Sequence, residues 1–330
     1  LGYTVAHVDQ LDDVVPFLQQ LGRDHRKFGV APERYAPVGQ ALLATLAETH
    51  GDSWDAQLAE EWTAAFQVVA KVMTEAAEVA ADNGVPPCWK AEVISHQRRS
   101  LDIAVVTLRP EPHYPYQAGQ SLSLETHLRP RVWRYYSPAN APRVDGSIEL
   151  HVRQQPGGPV STALASALRV GDVVTLGPPV GSRLTLAAAP AQDLLLLSGG
   201  TGLAPLKALV EAAAVEDHGR QVTLVTGARA PDDLYDQYAL IALANKYDWL
   251  TVVPVVADAT SDAGTPPLVA SASRYWRDRH IFICGSDPMV IDTVARLTGY
   301  GVPPSRLHYE GFTGLGGDRF GVVEGQESQR

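Results

Sequence analysis

The sequence predicts a multidomain protein: an all-α segment over residues 1–84, an antiparallel β-barrel over 88–190 and a doubly wound α/β domain over 191–330. Three observations carry this expectation. The first stretch is rich in alanine and repeats its apolar residues every three or four positions, as helices do. Short alternating runs follow, separated by turns of Pro, Gly and Asn, as in a small barrel. From about Asp193, apolar runs alternate with helical stretches, the rhythm of a parallel sheet covered on both faces.

In the first segment Leu18, Leu21 and His25 share one helix face. Pro32 stands near the start of a second helix, in which Val38, Leu42 and Leu46 repeat at four. Leu58, Trp62, Phe66, Val69 and Met73 make a third stripe. Asn83-Gly84-Val85-Pro86-Pro87 ends the pattern. Barrel strands are expected at Ala91–Ile94, Ile103–Leu108, Ser121–Glu125, Val132–Tyr136, Ile148–Arg153 and Val173–Leu176, with a short helix near Ser161–Leu168. In the last domain Leu194–Leu197, Val222–Val225, Thr251–Val256, Ile281–Cys284 and Leu307–Tyr309 read as strands.

Hydrophobic residues make up 45% of the 330 residues and charged residues 19%, enough apolar material for packed cores, so disorder is excluded as the main state. A net charge of −10 argues against nucleic acid or an anionic membrane as partner. No run reaches the roughly 18 apolar residues of a membrane span. Cys88 and Cys284 are the two cysteines, which excludes a disulfide framework and a cysteine-built zinc site and points to a reducing cytoplasm.

Ser198-Gly199-Gly200-Thr201-Gly202-Leu203-Ala204-Pro205 follows an apolar strand and opens a helix. Glycines there let backbone approach a pyrophosphate, and a helix N-terminus offers free N–H groups. A Gly-rich turn without a ligand is the plain alternative. The spacing is not the Rossmann fingerprint, so a different nucleotide fold is implied. Arg134-Tyr135-Tyr136-Ser137 ends a barrel strand. A guanidinium pairs with diphosphate, a phenol packs on a flat ring, and a hydroxyl bonds a ring nitrogen; an edge arginine beside core tyrosines is the plain alternative. Cys284-Gly285-Ser286-Asp287-Pro288-Met289 repeats the strand–turn–helix pattern. A buried cysteine is usually core, whereas its glycine would let a planar ring come close.

In this order the three signals resemble the ferredoxin–NADP reductase superfamily over about residues 88–315. That resemblance implies that Arg134 holds an FAD diphosphate, Tyr136 packs on the isoalloxazine and Ser137 bonds flavin N5. Gly119-Gln120 looks like a Pro-Gly-Gln turn with Ala118 replacing proline, and His151-Val152-Arg153 like the second FAD strand. Gly158-Pro159-Val160-Ser161-Thr162 resembles the FAD diphosphate turn. Gly199, Gly200, Thr201, Gly202, Ala204 and Pro205 resemble the NAD(P)H diphosphate turn, and Cys284, Gly285, Pro288 and Met289 the turn beside the nicotinamide. His308-Tyr309-Glu310-Gly311-Phe312 resembles the flavohaemoglobin version of the ending, in which Phe312 would shield the flavin and Glu310 lie near it. Arg229 could meet the 2′-phosphate of NADPH or be a solvated loop charge, so NADH and NADPH both stay open.

Residues 21–39 resemble the proximal side of a flavohaemoglobin globin domain. The resemblance implies that His25 ligates the iron of haem b and that Tyr35 hydrogen-bonds on the proximal side. Ala77 stands where that family carries a proximal glutamate, with Glu75 and Glu78 nearby. Leu1, Val5 and Val8 look like the end of the distal helix, so an N-terminal truncation is expected. The resemblance implies electron flow from NAD(P)H through FAD to haem, with O2 oxidising nitric oxide to nitrate. The alternatives are a haem-free FAD-dependent NAD(P)H reductase serving another acceptor and a haem-based gas sensor, which would need no hydride pathway.

Overall fold

The computed structural model describes residues 11–216, 219–256 and 268–311. The chain divides into two compact units, residues 1–89 and 90–330.

Among the described residues, three α-helices build the first unit: α1 (Leu11–His25), α2 (Tyr35–His50) and α3 (Ala56–Asp82). Pro32 does not begin α2 itself but opens a 3-10 turn, Pro32–Arg34, that leads into it. Val14, Leu18 and Met73 are buried, with Leu21, Tyr35 and Val69 packed around them. The helices approach closely because glycines mark their crossings. A Cβ on Gly22 would run into the Met73 backbone carbonyl, and one on Gly39 into the Phe66 ring. Asp55 caps α3, its Oδ1 accepting from the Leu58 N–H at 2.8 Å. The expected stripe on α2 is corrected at one position: Val38 is 56% exposed, because α2 turns Gly39 toward α3 instead.

The described residues of the second unit form two sheets. β1 (Trp89–Arg98), β2 (Ile103–Glu111), β3 (Ser121–Thr126), β4 (Arg129–Tyr136), β5 (Ile148–Arg153) and β6 (Val173–Val180) form a six-stranded sheet in the order β4-β3-β6-β1-β2-β5. Its end strands approach each other at a bridge between Pro138 and Leu150, so the sheet curls toward closure. Leu108, Leu122, Leu124, Ile148, Leu150 and Leu176 fill its inside. The short helix starts earlier than expected, as α4 (Pro159–Thr162), and widens to a π-helical turn over Ala163–Ala167.

β7 (Leu194–Gly199), β8 (Val222–Ala228), β9 (Leu250–Val256), β10 (His280–Gly285) and β11 (Leu307–Gly311) pair in parallel in the order β11-β10-β7-β8-β9. Alternation along β7 shows why both faces are apolar. Leu194 and Leu196 join one core with α5 (Leu203–Glu216) and α6 (Gln237–Lys246). Leu195 and Leu197 join the other with α7 (Leu268–Ala272) and α8 (Asp287–Gly299). No described helix is long and apolar enough to cross a membrane.

Candidate functional site

An open cleft of about 280 Å³ lies where the curled sheet meets the parallel one. The end of β4 brings Arg134, Tyr136 and Ser137 to it, and β5 brings His151. Gly158, Val160 and Ser161 come from the turn into α4; Thr201, Ala204 and Pro205 come from the turn into α5. Cys284 and Glu310 face it from the neighbouring strands β10 and β11, where they are register partners. The topology therefore gathers segments that lie far apart in sequence at the carboxyl end of the parallel strands.

Arg134 is exposed, with Nη1 donating to the Trp133 carbonyl at 2.8 Å. Ser137 Oγ lies 3.0 Å from Ser121 Oγ. Burial pushes the Tyr136 phenol up, against the pull of Arg134, so it stays neutral. Ser161 Oγ accepts from the Gln155 N–H at 3.0 Å and donates to the Gly158 carbonyl at 3.2 Å, which fixes the turn before α4. Burial, then Glu310, pushes the Cys284 thiol well up, so it is no thiolate nucleophile.

Other expected residues stand behind the wall. Gln120 ties two loops, accepting from the Gln117 N–H at 2.8 Å and donating to the Gly181 carbonyl at 3.0 Å. Val152 is buried within the sheet, and Thr162 continues α4. Gly199, Gly285 and Met289 form one knot: a Cβ on either glycine would meet the Met289 side chain. Gly202 is buried, and a Cβ there would strike the Cys284 carbonyl, so this glycine lets the turn pack against β10. Gly200 has φ +54°, the left-handed region, and its nearest side chain is the Arg153 guanidinium. Pro288 is exposed in the first turn of α8, and Arg229 is exposed just past β8. Phe312 lies outside the described residues, as do Leu1, Val5 and Val8.

Ser121 and Gln155 line the cleft although no motif singled them out, and Arg153, the last residue of the His151-Val152-Arg153 motif, lines it with them. Arg153 Nη2 lies 3.3 Å from Asp233 and its buried Nε lies 3.5 Å from Asp102, so two carboxylates hold the guanidinium at the edge of the cleft. Asp233 belongs to a 3-10 turn, Pro231–Asp233, that follows Arg229, so acidic groups do stand beyond β8.

Behind His151 the two sheets share a buried charge cluster. Lys207 Nζ, from α5, lies 2.8 Å from Glu149 and 3.0 Å from Asp236. His151 Nε2 lies 3.0 Å from Glu149, and Nδ1 lies 2.7 Å from the Tyr235 hydroxyl. Glu149, His151 and Asp236 are spaced as a metal would want, but the Lys207 ammonium already supplies the cation between the carboxylates.

In the helical unit, His25 Nδ1 lies 2.8 Å from the Leu21 carbonyl. A carbonyl only accepts, so Nδ1 carries a proton, and Nε2 is the nitrogen left for a metal in the neutral ring. Phe28 meets the ring edge-on at 6.1 Å. Tyr35 is half-buried at the start of α2, its phenol pushed up by burial. Glu75 pairs with Lys71 at 3.8 Å, on the exposed side of α3.

Family models match in three consecutive stretches: a globin over residues 1–73, an oxidoreductase FAD-binding domain over 89–183 and an oxidoreductase NAD-binding domain over 196–295. The flavohemoprotein of Bacillus subtilis is 25% identical across 93% of this chain and 81% of its own length. That of Bordetella parapertussis is 30% identical across 68% of this chain, which spans only 59% of that relative. Among solved structures, the flavohemoglobin of Malassezia yamatoensis with bound FAD and heme shares the fold at a TM-score of 0.76, with 19% identity over 90% of this chain and 79% of that one. The cytochrome P450 reductase of Amycolatopsis is 30% identical over 68% of this chain and 70% of its own, with a TM-score of 0.61. With a globin stretch, an FAD-binding oxidoreductase domain and an NAD-binding oxidoreductase domain following one another in that order, the chain belongs to the flavohaemoglobin family.

Proposed function

We infer that the protein is a nitric oxide dioxygenase: it takes electrons from NADH or NADPH through FAD to haem b and uses O2 to oxidise nitric oxide to nitrate. One observation carries this reading: the FAD-type and NAD(P)-type motifs open into the same cleft, in a chain whose helical unit holds His25 through Nδ1 on the Leu21 carbonyl. The exposed Arg134 guanidinium at the cleft, and the half-buried His25 ring held through Nδ1 on the Leu21 carbonyl, fit the two groups. FAD supplies hydride acceptance and one-electron release there, and haem iron supplies one-electron and O2 chemistry.

The residues do the positioning. Arg134 opposes the FAD diphosphate with Gly158, Val160, Ser161 and Thr162, while Tyr136 packs on the flavin ring. Ser137 offers its hydroxyl to N5, its geometry held by Ser121. Thr201, Ala204 and Pro205 receive the dinucleotide diphosphate on the turn shaped by Gly199, Gly200 and Gly202. Cys284 and Gly285, backed by Pro288 and Met289, leave room for the nicotinamide, and Glu310 borders the flavin. Gln120 and Val152 hold the sheet that carries these groups. Arg229 stands beside the dinucleotide ribose. His25 and Tyr35 serve the proximal side of haem. Cys88 and Cys284 are free thiols, which suits the cytoplasm.

The visible spectrum of the purified protein, followed by NO consumption with NADH in air, tests the reading. A Soret band with flavin shoulders and nitrate as product is the expected result. The 30% identity to a P450 reductase over the reductase half favours a second reading, electron supply to a separate acceptor. Flavin without a Soret band after haem reconstitution would select it.

A further inference from the structure

We propose that Lys207 is a positioning residue: from between Glu149 and Asp236 it holds His151 as an uncharged Nε2–H imidazole in the wall of the cleft, with Nδ1 fixed on Tyr235. The inference rests on the FAD reading for its consequence but not for its geometry.

Lys207, Asp236 and His151 are each at most 5% exposed, so water screens them little. Lys207 lies within 3.0 Å of both carboxylates, and His151 Nε2 lies 3.0 Å from Glu149 and 3.9 Å from Asp236. Two buried carboxylates beside an imidazole would normally draw a proton onto it. The ammonium takes that place instead. Glu149 is then ionised and only accepts, so Nε2 must be the protonated nitrogen. Nδ1 is left with its lone pair and accepts from the Tyr235 hydroxyl at 2.7 Å.

Glu149 and Asp236 pull toward the imidazolium, and burial and the cations oppose them. Arg143 stands 3.8 Å from Glu149 and 3.5 Å from Glu211, and so adds positive charge on the far side. Arg153 and Arg99 act on Tyr235, whose phenol burial keeps neutral. Burial, with Lys207 beside it, pushes His151 down, while the hydrogen bond from His151 and then Lys207 hold Glu149 well below the usual carboxylate range. Glu149 and His151 come from the curled sheet, whereas Lys207, Tyr235 and Asp236 come from the parallel domain. One ammonium thus fixes the seam between the domains and keeps the charge of the cleft wall constant with pH. An imidazolium at that wall would add a positive charge that came and went near neutrality and would shift a reduced, anionic flavin with it.

Long-range 1H–15N spectra of the histidine rings, with His151 assigned by its loss in His151→Gln, test this directly from about pH 5.5 to 8.5. Wild-type His151 should show a protonated Nε2 and no titration. Titration there, or a protonated Nδ1, overturns the proposal without need of any further variant. In Lys207→Met the ring should titrate inside the window, and in Lys207→Arg it should not. Stopped-flow reduction of bound FAD by NADH should be flat with pH in the wild type. Lys207→Met should gain a limb of about fivefold or more, lost again in Lys207→Met/His151→Gln. A purely structural lysine would lower the melting temperature and leave the ring titration and the pH profile unmoved, and that result also refutes the proposal. Absence of flavin absorbance would remove the FAD reading while the imidazole result stands by itself.

Discussion

Arg134 reaches the cleft on the last turn of pleat before Ser137, with one nitrogen resting on the neighbouring Trp133 carbonyl. A guanidinium so placed can turn its fork onto a diphosphate. Arg134→Ala should weaken FAD by about 2 kcal/mol, roughly 30-fold, while the fold survives. Flavin-to-protein ratios after gel filtration measure it, and an undiminished ratio counts against the assignment. His25→Ala should remove the Soret band and stop NO consumption, yet leave NADH oxidation with ferricyanide near the parent rate. Hydride transfer to the flavin needs no iron, and a normal Soret band in that variant would remove the ligand assignment. These residues were legible because each motif is contiguous in sequence. Lys207 and Glu149 were not: 58 positions separate them, and no spacing rule pairs a helix lysine with a strand glutamate in another domain. The motif frames also carried Gln120 and Gly202 into the site, whereas their atoms hold loops and turns behind it.

Helices and turns have their own vulnerabilities. Gly22→Ala would set a methyl on the Met73 backbone, which cannot swing aside as a side chain can. The helices must part, at about 1–3 kcal/mol, and circular dichroism melting should show it. Asp55→Ala removes the cap of α3 and should cost about 1 kcal/mol, with Asp55→Asn retaining most of it. In the β7–α5 turn, Gly202→Ala should lower protein stability and nucleotide affinity together, since its methyl would push on β10 itself. Strand cores were legible from alternation, while strand ends were not. β1 runs on to Arg98 and β6 to Val180, because pairing with neighbours extends a strand past its own apolar pattern. Val38 followed the four-residue repeat but faces outward, because the close crossing belongs to Gly39, which has no side chain to reveal it.

Acid should loosen the second unit in a definite sense. His151 is held down by burial, His280 by burial and Arg306, and His308 by burial and the facing His280, to about 4. Their folded forms refuse protons that the unfolded chain accepts below about pH 6.5. Stability is therefore full above that pH and falls on acidification toward the folded values. Glu149, depressed by His151 and Lys207, adds a further loss below the ordinary carboxylate range. Calorimetric melting should drop between pH 7 and 5, and His308→Gln should make the drop shallower; a flat profile would contradict it. The order of the domains was readable from texture alone, since each class of secondary structure imposes its own period. What period cannot give is the seam between sheets, which is written in charges rather than in apolar spacing.

Among the described residues, β11 supplies the last piece of the cleft wall, Glu310, whereas Arg134 sits on β4. A ribosome adding roughly 5–20 residues each second needs on the order of 10–35 s to travel between them. The curled sheet thus emerges long before the parallel strands that complete the described cleft. Cofactor capture waits for those strands, and a nascent chain arrested before β10 should carry a formed sheet that cannot retain the dinucleotide.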